Sequence, residues 1–268
     1  MKHLGVVVHP EMPAAAEAAE EIAKLADKRG LVAAEAEGQD IADVLIALGG
    51  DGTILRAARM AHREDIPLAA VNFGRLGFLS TVEPRDLPDV VNALADGEYR
   101  TDERMMLEAD IISEGRKVDS IPALNEVVLE RGTLSRVISI RVSVGEEPIA
   151  TYIADGFIVS TPSGSTAYSL SAGGPVLEPQ LEAMVLTAVS PHWPLWRSIV
   201  VGPQRPVTLF CPKDSAAFSA DGATVRILEP GTSVVVAPSP RRLKLISLKG
   251  LRFYDRLRIR FHQAEPEL

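Results

Sequence analysis

The residues best placed to do chemistry are Gly49-Gly50-Asp51-Gly52-Thr53. An apolar run, Val44 to Leu48, precedes them, and Ile54 to Met60 continues with helical character. A strand, a glycine turn and a helix start suit a bound phosphate. Glycine lets the backbone turn tightly and lets a ligand come close. The free N–H groups at the head of the next helix favour an anion. An acid in a loop that only held phosphate would repel it. Asp51 therefore points to a second task, holding a cation or taking a proton from an attacking hydroxyl. The competing reading makes Asp51 a helix cap. Gly49, Gly50, Gly52 and Thr53 are the candidate phosphate contacts. Arg56 and Arg75 could add charge there, with a solvated surface position as the alternative for each.

Two further stretches carry polar chemistry. The segment from Asp155 to Pro175 is rich in Ser, Thr and Gly, is nearly free of charge, and is fed by a short strand over Phe157–Ser160. It suits a hydroxyl-rich ligand lying against backbone. Apolar Phe157, Ile158, Val159 and Tyr168, with Thr161-Pro162 and Gly173-Gly174-Pro175 as rigid punctuation, argue against a flexible linker. The other stretch is Asn125-Glu126, an amide and a carboxylate entering the apolar strand Val127–Leu129. Such a pair can bind the edges of an adenine and a ribose, or it is simply a surface turn.

The elements that must position these residues fall into two textures. Strands are expected over 4–8, 31–34, 44–48 and 68–72. Helices are expected from Pro13 to a stop at Gly30, over 54–62 and over 86–95. Continuous apolar strands between helices predict an α/β fold with a parallel sheet, whose ligands sit beyond the carboxyl ends of the strands. After about Tyr99, short strands and turns dominate. Hairpins are expected for 137–144 with 148–153, and for 218–220 with 224–228 about Asp221-Gly222. The division is 1–98 as the α/β domain and 99–249 as a mostly antiparallel β-rich domain. Residues 250–268 form a strand or helix packing back on the first.

Composition bounds the function. The 268 residues carry a formal net charge of −8, which argues against nucleic acid as a partner but leaves room for a local phosphate site. The single cysteine, Cys211, rules out an internal disulfide and reads as a buried strand residue. No cluster of His, Asp and Glu has zinc spacing. The N-terminus lacks a signal-peptide layout and no apolar run reaches membrane length, so a soluble, cytoplasmic protein is expected.

Taken in order, Gly49 to Thr53, Asn125-Glu126 and the long loop Thr161–Pro175 resemble the NAD kinase family, which phosphorylates the adenosine-ribose 2′-hydroxyl of NAD. Val71-Asn72-Phe73-Gly74 with Gly77-Phe78-Leu79, Arg104 with Met106-Leu107, and Pro191-His192 with Arg197 extend the resemblance over most of the chain. The glycine-Asp loop alone is shared with diacylglycerol and sphingosine kinases and with phosphofructokinases; the long loop with Asn125-Glu126 is far more specific. The resemblance implies a two-domain fold and a homodimer or homotetramer. It makes Asp51 the catalytic base, with Asp51-Gly52 touching substrate and Asn125-Glu126 holding the adenosine. It places Asp155 near the nicotinamide, often across a subunit boundary, and lines the dinucleotide with Thr166, Ala167, Tyr168, Ser169, Leu170 and Ser171. The implied ligands are NAD and ATP with magnesium, the donor being ATP, another nucleotide or polyphosphate. The sequence departs from the family at Ile153, often basic there, at Ala223, often glutamine, and at Ser163, where threonine is commoner. A lipid kinase is the nearest rival, disfavoured by the polar loop and the acidic charge. A non-catalytic NADP sensor is the rival of another class.

Overall fold

A computed structural model describes residues 2–36, 42–74, 77–80, 82–132, 137–192, 197–248 and 253–262. In chain order come β1 (His3–Val8), α1 (Pro13–Lys28), β2 (Val32–Glu35), β3 (Val44–Gly49), α2 (Asp51–Glu64), β4 (Leu68–Asn72), α3 (Leu87–Asp96) and β5 (Arg100–Arg104). Then follow β6 (Leu107–Ser113), β7 (Arg116–Ala123), β8 (Glu126–Arg131), β9 (Ile138–Val144), β10 (Glu147–Ala154), β11 (Gly156–Ser160) and the short α4 (Tyr168–Ser171). The rest is β12 (Met184–Val189), β13 (Ile199–Val201), β14 (Val207–Phe210), β15 (Ala216–Ala220), β16 (Ala223–Leu228), β17 (Ser233–Pro238), β18 (Leu243–Ser247) and α5 (Phe253–His262). The chain divides into two compact units, Met1–Arg104 with Arg242–Leu268, and Met105–Arg241.

The first unit is built on one sheet in the order β2-β1-β3-β4-β18-β5. Its strands run parallel except β5, which lies antiparallel to β18. β3 is buried along its whole length, as expected of a strand covered on both faces. Val44, Ile46 and Leu48 join Leu4, Val6 and Val71 in a core closed by Ala15 and Ile22 of α1 and by Val90 and Leu94 of α3. The alternate residues, Leu45 and Ala47, point to the opposite face, where α2 packs on β3, β4 and β18. α1 starts on Pro13 and turns off at Gly30, whose φ is +69°. β5 and β18 lie outside the α/β span expected for this unit. Both fall within 99–249, the stretch whose frequent strands and turns predict the β-rich domain, and neither shows the apolar run of a central parallel strand. β5, Arg-Thr-Asp-Glu-Arg, is a polar edge strand, and such edges are kept charged to block further pairing.

The second unit is a sandwich of two antiparallel sheets, β10-β9-β14-β17-β6-β7 and β13-β12-β11-β8-β15-β16. Every second residue faces inward. Ile140 and Val142 of β9, Leu209 of β14 and Val234 of β17 meet Val127 and Leu129 of β8, Phe157 and Val159 of β11, and Phe218 of β15 in one core. The two hairpins read from turn residues form as β9–β10 and β15–β16. Cys211 is buried but stands one residue past β14, and burial pushes its thiol up to about 11, so it is unreactive there. The C-terminal segment forms a helix, α5. Phe253 packs on Phe78 at 6.2 Å between ring centres, and Arg256 donates to the Phe78 carbonyl at 3.0 Å. No helix among the described residues is long and apolar enough to cross a membrane.

Candidate functional site

β1, β3 and β4 are neighbours, so their carboxyl ends, at His9, Gly49 and Asn72, lie side by side. α2 leaves β3 through Gly50 alone. Gly50 is its N-cap, with φ −90° and ψ −174°, and its carbonyl accepts both Thr53 N–H (3.0 Å) and Ile54 N–H (3.1 Å). Asp51, Gly52 and Thr53 are therefore the first turn of the helix, not a loop before it. The remaining first-turn N–H groups have no partner within the helix, and an acid at this end is favourable to its dipole.

The three glycines have different reasons. A Cβ on Gly49 would stand 2.6 Å from Thr53 Oγ1 and 3.0 Å from His9 Cβ, so Gly49 is required by packing. Gly50 and Gly52 have open space where a Cβ would be, and neither has positive φ. The protein itself does not need glycine there. Both border a cavity of about 270 Å³ that His9, Thr53 and Arg56 also line. Arg56 is held beside it by a 2.8 Å bond from Nη2 to the Val8 carbonyl. His9 was not read from the sequence. Its Nδ1 accepts the Glu11 N–H at 3.2 Å, and its signal was a polar residue directly after a buried parallel strand. A larger cavity of about 470 Å³ lies along α3, β5 and β18, but Asp86, Asp89 and Glu98 outnumber Arg100 there, which is the wrong charge for phosphate. Arg75 lies outside the described residues.

Asp51 rests against Gly77, where any Cβ would collide with its carboxylate oxygens. Partial burial raises its pKa above the ordinary carboxylate value, opposed by the positive charge of Arg260 on α5. The residue stays open to solvent. The result is an accessible carboxylate, somewhat more basic than usual.

In the second unit, Asn125 and Glu126 enter β8 in the interior, 8% and 4% exposed, which removes the surface-turn alternative. Asn125 Oδ1 and Glu126 Oε2 have no hydrogen-bond partner, and neither do the buried hydroxyls of Ser160 and Ser163. Buried polar groups are rarely left unpaired without reason. Burial, then the negative charge of Asp221, pushes Glu126 up to about 8, while the Tyr168 main-chain N–H donates to it. Glu126 therefore holds its proton to higher pH than an ordinary carboxyl.

The hydroxyl-rich segment is less free than its composition suggests. Thr161 Oγ1 donates to Leu124 O (2.6 Å), Ser165 Oγ to Pro162 O (2.6 Å), and Thr166 Oγ1 to Ser163 O (3.2 Å). Ser169 is buried, its hydroxyl 3.3 Å from Thr187 on β12. These groups tie the loop to itself and to the sheet. Short hydroxyl side chains compete well for nearby main-chain groups. Tyr168 and Ser171 are the exposed members of the run, while Ala167 and Leu170 are half-buried. Gly164 is dictated by contact, since a Cβ there would stand 2.6 Å from Asn125 Cα. Asp155 precedes β11 and pairs with Arg131 at 3.4 Å. His192 donates its N–H to the Ile153 carbonyl at 2.9 Å.

The first unit thus carries an accessible carboxylate at the head of a helix suited to phosphate, and the second carries buried polar groups without partners among the described residues. The chain belongs to the NAD kinase family. The model of the ATP-NAD kinase N-terminal domain matches residues 15–99 and that of the C-terminal domain matches 124–248. The NAD kinase of Symbiobacterium thermophilum is 42% identical over 230 residues, covering 85% of this chain and 81% of that one. That of Heliobacterium modesticaldum is 43% identical over 224 residues, covering 83% and 79%. Among solved structures, yeast NADH kinase complexed with NADH superposes with a TM-score of 0.84 at 23% identity, over 100% of this chain and 89% of that one. An Archaeoglobus fulgidus NAD kinase in complex with ATP gives 0.77 at 24% identity, over 98% of each chain. Both show the two-domain fold. The relatives are NAD kinases, so the lipid-kinase alternative has no support.

Proposed function

We propose that this chain transfers the γ-phosphoryl group of ATP to the adenosine-ribose 2′-hydroxyl of NAD, giving NADP and ADP. Family membership supports the reaction. The observation that carries the mechanism is Asp51, accessible and raised in pKa, at the first residue of α2. Asp51 accepts the proton of the 2′-hydroxyl as that oxygen attacks phosphorus. The first-turn amides of α2 and the Arg56 guanidinium hold donor phosphates, for which Gly50 and Gly52 leave room. Thr53, packed against Gly49, fixes the start of that turn.

Asn125 and Glu126 take the adenosine. A protonated Glu126 can donate to a ribose or adenine acceptor without placing an anion near the dinucleotide phosphates. Asp155, Thr166, Ala167, Tyr168, Leu170 and Ser171 are proposed to line the rest of the dinucleotide, with Ser169 shaping the loop from below.

Magnesium enters with the triphosphate. Among the described residues no group of three or more His, Cys, Asp or Glu could cage an ion. This fits a cation bound mainly by phosphate oxygens and water, with Asp51 as the acidic side chain within the helix head. Such an ion supplies charge neutralisation for the triphosphate. A cytoplasmic location and a homodimer or homotetramer complete the proposal.

The test is purified protein with NAD, ATP and magnesium, and NADP detected by an NADP-specific dehydrogenase. NADP formation supports the reading. No NADP from folded protein, with ATP or with polyphosphate, contradicts it in favour of a sensor.

A further inference from the structure

We infer that Asp221 is a positioning residue for Asn125 and Glu126, acting on the adenosine end of the substrate from the turn between β15 and β16. The inference rests on the NAD kinase reading. From the sequence, Asp221-Gly222 was no more than a hairpin turn. In the structure the Asp221 carboxylate turns toward the segment that leads into the neighbouring strand β8. Oδ2 accepts the Leu124 N–H at 3.0 Å and Oδ1 accepts the Asn125 N–H at 2.7 Å. Asp221 N–H in turn donates to the Glu126 carbonyl at 3.0 Å.

The opposite side of the same peptide is held by the hydroxyl-rich segment. Thr161 N–H donates to the Asn125 carbonyl at 2.8 Å and Thr161 Oγ1 to the Leu124 carbonyl at 2.6 Å. The backbone from Leu124 to Glu126 is thus pinned from two directions, and the Asn125 and Glu126 side chains keep their free atoms unpaired. Asp221 adopts φ +50°, a left-handed conformation that Asp tolerates better than most residues. The residue is 8% exposed. A turn needs neither that burial nor a carboxylate that accepts two successive N–H groups just before the neighbouring strand β8.

Asp221 also acts by charge. Burial raises Glu126 first, and the negative charge of Asp221 adds to that rise. Tyr168 on α4 faces Glu126 as well, with Glu130 on β8 and Asp155 before β11 also acting on Tyr168. Asp221 therefore adds to the hold on the Glu126 proton where adenosine is to be met.

The test compares wild type with Asp221→Asn in full steady-state kinetics between pH 6 and 9.5. Asn retains shape but turns an NH2 toward one of the two N–H groups. KM for NAD is expected to rise about tenfold or more, with kcat nearly unchanged. In wild type, kcat/KM for NAD falls as pH rises through the Glu126 ionisation. With the Asp221 charge gone, Glu126 loses its proton more easily, so this alkaline limb moves to lower pH. Glu126→Gln should abolish the limb. If Asp221→Asn does not fold, Asp221→Ser, which can still accept one N–H, carries the same two expectations. An unmoved limb with unchanged KM, or an equal loss at every pH, overturns the role of Asp221. Wild-type protein that forms no NADP would instead remove the NAD kinase reading itself.

Discussion

Gly77 and the Asp51 carboxylate are in such close contact that no side chain can stand between them; a Cβ on Gly77 would lie 3.0 Å from Asp51 Cγ and nearer still to Oδ1. Gly77 thus sets where the proposed base points. Gly77→Ala should leave binding of NAD within a few-fold of wild type, yet lower kcat about 100-fold, since misplacing a reacting group by about 1 Å costs that much. Steady-state kinetics check this. A variant with normal kcat would mean that the Asp51 carboxylate is free to move without consequence.

The glycines at the head of α2 separate packing from ligand approach. Gly49→Ala meets Thr53 Oγ1 and Cβ at 2.6 and 2.8 Å, so thermal unfolding should show a loss of about 1–3 kcal/mol. Gly50→Ala meets nothing within 4 Å. It should fold normally, with KM for ATP raised at least several-fold. Unchanged KM would show that no ligand comes close to Gly50.

Two pH effects follow from burial, one on activity and one on stability. Asp51 must be ionised to accept a proton, so kcat falls toward acid pH, with an inflection above the ordinary carboxylate value because burial raises this group. Arg260 opposes that rise. Arg260→Gln should therefore move the acid limb to higher pH. A limb moving to lower pH contradicts the assignment.

Glu126 affects stability. Its native pKa, about 8, lies well above the ordinary glutamate value of 4.5, so the native state holds its proton more tightly than the unfolded chain does. The associated stability is complete below about pH 4.5 and is lost as pH rises through about 8. Glu126→Gln removes this dependence. Its melting temperature relative to wild type should be higher at pH 9 than at pH 5. A difference that is the same at both pH values would place Glu126 in a more solvated setting.

The α/β pattern was legible because β1, β3 and β4 are apolar runs that a two-sided parallel sheet demands, and because Pro13 and Gly30 mark helix ends by their own backbone preferences. The hairpins were legible from Asp-Gly and Gly-Glu turns. β5 and β18 were not, since an edge strand and a return strand are placed by their partners and not by local pattern. Asp51 and Asn125-Glu126 stood out by residue type and order along the chain. Gly77 entered only as part of the family pattern, Asp221 only as a turn residue, and His9 not at all. Each acts through a contact made only when distant segments come together, as when Asp221 reaches Leu124, 97 positions away. The hydrogen bonds that tie Ser165, Thr166 and Ser169 into the loop and sheet were not legible either, because composition does not tell a hydroxyl that faces outward from one that ties a loop.

The most direct test of the account is Asp51→Asn, measured for NADP formation and for NAD binding in the same preparation. The account predicts a folded protein that binds NAD nearly as wild type does and loses about 10²- to 10⁴-fold in rate, the usual contribution of a general base. A variant keeping more than about a tenth of the wild-type rate would contradict the role given to Asp51.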